Sequence, residues 1–118
     1  MDLNDALVAH LAWKMRFATY LLDPDGSLTY EKVCDETACD LGNWEHGEAL
    51  AAYGNDREYF GLLTSHALFH LAAAEVVRRA NHGEEISEEE WLGPGSVYDR
   101  ASSDVVSRIV HLAERTPV

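Results

Sequence analysis

Apolar residues recur at spacings of three and four along three long segments, and this period constrains the fold more than any other feature. Such spacings place side chains on one face of an α-helix, whereas a half-buried β-strand requires strict alternation. The three stripes consist of Ala6, His10, Trp13, Phe17 and Tyr20; of Tyr59, Leu62, Leu63, His66, Phe69, His70, Ala73, Val76, Val77 and Ala80; and of Val97, Ala101, Val105, Ile109 and Leu112. We therefore predict an all-α helical bundle of three long helices plus shorter helices, similar to a four-helix bundle.

Helix breakers and caps set the boundaries of the long helices. Pro24 disfavours helical backbone at the residue before it, so the first helix covers about residues 2–22. An Asn-Asp pair at 55–56 caps the second helix, which ends near residues 81–83. The acidic stretch 84–90 is expected to be a solvated linker before the third helix.

The region between the first two long helices has an irregular pattern. Short helices are expected near Tyr30–Cys34 and Glu45–Ala52, with Gly42 and Gly47 as breaks. This region is therefore predicted to be a connecting segment.

Length and charge exclude several classes of protein. A chain of 118 residues supports one hydrophobic core, so residues 1–118 are expected to form a single domain. The formal net charge of −12 repels nucleic acid and anionic membranes, and we expect neither as a partner. There is no basic signal-peptide start and no run of about 20 apolar residues, which predicts a cytoplasmic protein. Cys34 and Cys39 lie too close in sequence to close a useful disulfide loop, which leaves them as free thiols or ligands.

Three histidines and one cysteine are the candidate metal ligands. His66 and His70 lie one turn apart on one helical face, so their rings can reach a common metal ion. Taken singly, His10 and these two histidines are more simply explained as hydrogen-bonded core residues, and Cys39 as a small buried hydrophobe. Together the four residues supply three neutral nitrogens and one thiolate, enough to close a tetrahedral zinc site.

These residues resemble the chemoreceptor zinc-binding domain (CZB) family. The family pattern is a histidine followed by Trp-Lys, a Cys-x-Leu-Gly-x-Trp segment and a His-x-x-x-His helix. It appears here as His10-Leu11-Ala12-Trp13-Lys14, Cys39-Asp40-Leu41-Gly42-Asn43-Trp44 and His66-Ala67-Leu68-Phe69-His70, and the resemblance covers about residues 6–80.

The resemblance implies a sensory function. Family members are helical bundles with one zinc ion held by three histidines and one cysteine, and they serve as cytoplasmic modules of bacterial chemoreceptors and diguanylate cyclases. The implied ligands are His10, Cys39, His66 and His70, with Cys39 as the mobile, redox-reactive ligand. We expect a stand-alone member that signals through a separate receptor or cyclase partner and forms a homodimer, with the apolar positions of the last helix as an interface.

Residues beside the ligands are expected to support the site. Trp13 and Trp44 anchor their segments in the core, Gly42 permits a tight backbone path, and Lys14 extends its ammonium toward a nearby carboxylate. Asn43 stands where family members commonly have lysine, which removes a positive charge near the thiolate.

The sensing hypothesis makes Cys39 the switch. A zinc-bound thiolate stays deprotonated and nucleophilic, so an oxidant such as hypochlorous acid converts it to a sulfenic acid and weakens the fourth bond. Free zinc and pH are alternative signals. A structural zinc in an interaction module is an alternative function, and such a site keeps its metal under oxidant.

A zinc hydrolase is a weaker alternative, and we expect no enzyme. Ala67 occupies the position of the glutamate base in a His-Glu-x-x-His motif. Cys34 has no place in the family pattern, so a role as resolving thiol is not favoured. His46 is near Cys39 in sequence and could compete as a ligand, but its polar neighbours indicate exposure.

Overall fold

The chain folds into helices joined by short turns, as a computed structural model of residues 2–85 and 87–115 shows. The helices are α1 (Leu3–Leu22), α2 (Tyr30–Cys34), α3 (Asp40–Glu45), α4 (Glu48–Tyr53), α5 (Arg57–Asn81), α6 (Glu88–Trp91) and α7 (Val97–Arg115), with a 3₁₀ turn at Glu36–Ala38. The described residues contain no β-strand, which confirms the predicted all-α bundle with three long helices. Residue 86 of the predicted linker lies outside the described residues.

Side-chain caps start the helices close to the predicted positions. Asp2 and Asp5 form a capping box at the start of α1, each side chain accepting the other's backbone N–H. Asp56, one of the two predicted caps, accepts the backbone N–H of Glu58 at 2.9 Å and starts α5. The turn after α1 passes through Gly26 at φ 84°, a backbone conformation that favours glycine.

An aromatic column joins the three long helices. Trp13 stacks on Phe17 at 5.1 Å between ring centroids, and Phe17 stacks on Tyr98 of α7 at 5.5 Å. Phe69 of α5 packs on the same tyrosine at 5.2 Å. Aromatic pairs of this kind stabilise a core beyond the area that they bury. The column therefore holds α1 and α7 against α5, beside the face that carries His66 and His70.

The interface expected on the last helix is wrong. Val105, Ile109 and Leu112 are buried within the chain, because α7 packs along α5. The Ser65 hydroxyl of α5 also donates to the Asp104 carboxylate of α7. The apolar stripe of α7 from Val105 to Leu112 is thus part of the core and not a surface for a second chain, whereas Val97 at the start of the helix is 67% exposed.

The predicted break at Gly42 is also wrong, because Gly42 lies inside α3. A Cβ atom at this position would collide with the backbone oxygen of Glu36 in the preceding 3₁₀ turn. The glycine thus permits two backbone segments to approach closely and does not end a helix. Gly47 does separate α3 from α4, as predicted.

The long helix α5 has an apolar composition that its place in the core explains. It is the one described helix that is long and apolar enough to suit a membrane span, which the sequence had not led us to expect. Half of that apolar window is buried inside the bundle. The buried half packs against α2 and α7, as expected for the core helix of a bundle.

Substitution of Gly42 by alanine tests the close approach at α3. The added methyl group would meet a backbone oxygen, so we expect the free energy of unfolding to fall by about 1–3 kcal/mol, as in overpacked cores. Gly61→Ala is the matched control, because its methyl group would meet the flexible end of the Arg108 side chain, and its effect should stay within about 1 kcal/mol. Urea denaturation of the metal-free proteins measures the free energies of unfolding of both variants. Equal destabilisation would contradict the close packing of Gly42 against Glu36.

Candidate metal centre

Three of the four predicted ligands meet at one point in the bundle. Cys39 Sγ lies 3.4 Å from His66 Nε2 and 3.5 Å from His70 Nε2, and the two nitrogens are 3.0 Å apart. Both histidines are buried on α5, one turn apart, whereas Cys39 lies just before α3 and is partly exposed. The fold therefore brings two segments, distant in sequence, to one group of donor atoms.

The distances between these donor atoms suit a tetrahedral zinc ion. Zinc bonds of about 2.0–2.1 Å to nitrogen and about 2.3 Å to sulfur imply separations of about 3.3 Å between two nitrogens and about 3.6 Å between nitrogen and sulfur. The three separations found here lie within about 0.4 Å of these values. The residues thus fit a zinc ion in both donor chemistry and spacing.

The outer nitrogens of the two histidines have buried partners. His70 Nδ1 donates to the backbone oxygen of Val33 at 2.8 Å, which leaves its Nε2 lone pair directed at the cluster. His66 Nδ1 lies against Oε1 of Glu45, and both side chains are withdrawn from solvent. Such outer contacts set the tautomer and orientation of metal-ligating histidines.

Cys39 occupies the N-cap of α3, where its sulfur is held by the backbone. The Gly42 N–H donates to Sγ at 3.3 Å, and the thiol donates to the Glu36 carbonyl at 3.3 Å. A cleft of about 510 Å³ reaches Cys39 and His70 from the surface. Its charged lining residues are Arg16, Lys32, Asp35 and Asp40. Small molecules can therefore reach the sulfur, while the histidines stay buried.

Burial sets the protonation of the donor atoms before any metal binds. It lowers the pKa of His70 to about 4 and also lowers the pKa of His66. Both rings are thus neutral near pH 7 and offer lone pairs. Burial raises the pKa of the Cys39 thiol, so this group has to release its proton when a metal binds.

His10 lies near the cluster but is not part of the group of three. Its Nε2 is 3.0 Å from the Ser102 hydroxyl of α7, and its ring packs edge-on against Phe69 at 4.7 Å. Burial lowers the pKa of His10 to about 3, and the neighbouring His66 contributes to the shift. Its role as the fourth ligand stays a prediction.

The structure shows the contacts of the residues that were predicted to support the site. Trp13 packs edge-on against the His70 ring at 4.7 Å, and Trp44 is buried in α3. Gly42 packs closely against the backbone of Glu36, as described above. Lys14 places its ammonium 5.6 Å from the centre of the Tyr98 ring, where the sequence suggested a carboxylate partner.

The two further residues considered near the site lie outside the group of donor atoms. His46 is nearly half exposed and lies 3.9 Å from a Glu36 carboxylate oxygen. Cys34, at the end of α2, is a partly buried free thiol. Neither belongs to the metal-binding group.

Sequence reasoning missed Glu45 and Ser102, which contact candidate ligands. Glu45 directly follows the Cys-x-Leu-Gly-x-Trp segment, but in a chain with 21 acidic residues an acidic residue gives no sign of burial. Ser102 is separated from His10 by 92 positions, and only the packing of α7 brings the two together.

The comparisons with known proteins agree with this geometry. The chemoreceptor zinc-binding domain family matches residues 10–77, which is more than half of the chain. The chain belongs to this family. No curated protein and no solved structure is significantly similar to it.

Membership of the chemoreceptor zinc-binding domain family confirms the resemblance drawn from the sequence. The matched segment begins at His10 and includes Cys39, His66 and His70. It implies a zinc-binding module of signalling proteins, a regulatory class and not a catalytic one. The cluster of Cys39 with the two histidines provides a group able to bind the metal.

Proposed function

We propose that this chain is a zinc-binding sensory module of bacterial signalling that holds one zinc ion through His10, Cys39, His66 and His70. The observation that carries the proposal is the convergence of one sulfur and two Nε2 atoms within 3.5 Å, at the positions of the family's cysteine and histidine pair. We infer zinc because thiolate and imidazole are the ligands of closed zinc sites.

His10 is the proposed fourth ligand. Its Nε2 contacts the Ser102 hydroxyl, which leaves Nδ1 as the nitrogen for the metal. Burial, with a smaller contribution from the neighbouring His66, lowers the pKa of His10 to about 3, so its ring is neutral near pH 7 and offers a lone pair. The ring is buried on α1 and packs against Phe69, the neighbour of His70 on α5.

Cys39 is the proposed redox switch. Zinc, when bound, keeps its thiolate deprotonated near neutral pH. The thiolate attacks the chlorine of hypochlorous acid and releases hydroxide, and water then replaces chloride to leave a sulfenic acid. The oxidised sulfur is a weaker donor, so Cys39 and the start of α3 separate from the buried histidines.

The structure supports this division between a fixed and a movable part. His66 and His70 lie in the middle of a 25-residue helix packed on two sides. Cys39 caps a helix of only six residues and borders an open cleft. Segments with short helices and exposed borders open locally at lower free energy than core helices do.

The signal would pass to a chemoreceptor or a diguanylate cyclase in the cytoplasm, as the family's signalling role suggests. A second copy of the chain is the proposed dimer partner. The outer face of α1 carries an exposed apolar stripe opposite its buried face, with spacings of three, four and seven: Val8, Leu11, Met15 and Leu22, exposed by 58%, 45%, 73% and 85%. This spacing is typical of helices that pair with another helix.

Alanine substitutions test the zinc site. We expect His10→Ala, Cys39→Ala, His66→Ala and His70→Ala each to weaken zinc binding by at least about 100-fold, since loss of an outer partner alone typically costs 10- to 100-fold. His82→Ala, at an exposed helix end, is the control and should bind like wild type. Competition with a chelator of known affinity measures the constants. Equal affinities in all six proteins would contradict the site.

An oxidant titration tests the switch. Addition of hypochlorous acid to the zinc-loaded protein should release zinc in proportion to oxidation of Cys39, followed with a zinc indicator and by mass spectrometry. Cys34→Ser is the matched control and should release zinc like wild type. If the wild type keeps its zinc after Cys39 is oxidised, the site is structural and does not sense oxidant.

A charge on the α1 stripe tests the dimer. Met15→Glu should weaken self-association at least about tenfold, because it places a carboxylate within the apolar contact. Val97→Glu is the control, since Val97 is 67% exposed but lies on α7, outside the stripe. Sedimentation velocity over a concentration series measures the self-association of the wild type and of both variants. A monomeric wild type, or equal effects of the two substitutions, would refute this interface.

A further inference from the structure

Glu45 is a buried acidic side chain beside the metal site. It is fully withdrawn from solvent, whereas the other acidic side chains that the structure describes are at least partly exposed. Burial of a carboxylate is unfavourable unless a specific partner compensates for the lost water. Among the described residues, neither carboxylate oxygen has a hydrogen-bond partner, and the polar group that the carboxylate faces lies on α5.

That group is the outer nitrogen of a candidate zinc ligand. Oε1 of Glu45 lies against Nδ1 of His66, while Nε2 on the other side of the ring faces Cys39 and His70. A neutral imidazole carries one proton, and a carboxylate facing Nδ1 holds that proton there. The lone pair is then on Nε2, the atom directed at the metal.

We propose that Glu45 is a positioning residue that orients His66 and sets its tautomer for zinc. The inference rests on the proposed function, because it takes His66 as a ligand. It adds a role for an acidic residue outside the ligand set.

Glu45 differs in charge from the partners of the other two histidines. His70 donates to the Val33 carbonyl and His10 contacts the Ser102 hydroxyl, both of which are neutral. Zinc with one thiolate and three neutral imidazoles carries one net positive charge in a buried place. When ionised, a carboxylate on His66 supplies the compensating charge and makes the imidazole a stronger donor.

The backbone around Glu45 keeps the carboxylate in place. The Tyr59 hydroxyl of α5 donates to the Glu45 carbonyl at 2.7 Å. In the middle of α3, Gly42 packs closely against the backbone of Glu36. The six-residue helix α3 therefore carries Cys39 at its start and the partner of His66 at its end.

Two substitutions of Glu45 separate the effect of its charge from that of its polar contact with His66. Glu45→Gln keeps an acceptor oxygen but removes the charge, and should weaken zinc binding about tenfold. Glu45→Leu removes both and should weaken it about 100-fold. Glu31→Gln, which removes the same charge from an exposed site on α2, is the matched control and should bind like wild type. Chelator competition on the full chain measures all four proteins.

A stability measurement distinguishes positioning from a structural role. Because Glu45→Gln replaces a buried acid by a neutral amide, the melting temperature of the metal-free variant should equal or exceed that of wild type. A structural role predicts that stability and zinc affinity fall together. A lower melting temperature of this variant would therefore count against the proposal.

Nuclear magnetic resonance of the zinc-loaded wild type tests the proposal without any variant. The ¹⁵N spectrum should show His66 protonated at Nδ1 and metal-bound at Nε2. The opposite tautomer, or affinities of both Glu45 variants within twofold of wild type, would overturn the role of Glu45 and leave the zinc site intact. A wild type that binds no zinc would instead refute the proposed function and this inference with it.

Discussion

Each buried histidine of the site needs a partner on both sides of its ring, and the surrounding helices supply these partners. Desolvation keeps the imidazoles neutral, and a neutral ring in the core has one donor and one acceptor to satisfy. His70 contacts α2 through the Val33 carbonyl, and His10 contacts α7 through Ser102. His66 contacts α3 through Glu45. Three elements thus hold three rings, and the inner nitrogens of His66 and His70 remain directed at one point beside Cys39.

This arrangement favours a sensor over a catalyst. A catalytic zinc site keeps an open position for water, whereas the four proposed ligands leave none. Ala67 lies between the two histidines of α5, where a metalloprotease has its glutamate. The part of the site that reaches solvent is the cysteine, through the cleft beside it. The proposed chemistry of the site is therefore exchange or oxidation at Cys39.

The sequence predicted the features that depend on local pattern. Helical spacing identified the long helices, and the cap at Asp56 placed the start of α5 correctly. The four-residue spacing of His66 and His70 was sufficient to predict a shared face. The pairing of these histidines with Cys39 came from the family pattern, because a lone cysteine in an irregular segment carries no metal signal of its own.

The features that the sequence missed arise from contacts between distant segments. Gly42 appeared as a helix breaker, but its role depends on the approach of the Glu36 backbone, which no local pattern encodes. Glu45 is one acidic residue among many until the fold buries it. Similarly, the stripe on α7 predicted an apolar face but not whether α5 or a second chain would cover it. Local spacing identifies faces, and only packing determines their partners.

X-ray absorption at the zinc edge tests the central claim most directly, because it reports the atoms bound to the metal. The zinc-loaded wild type should show three nitrogen neighbours at about 2.0–2.1 Å and one sulfur at about 2.3 Å, and the sulfur should be absent in Cys39→Ala. A wild-type spectrum without sulfur, or one that Cys39→Ala leaves unchanged, would contradict the account.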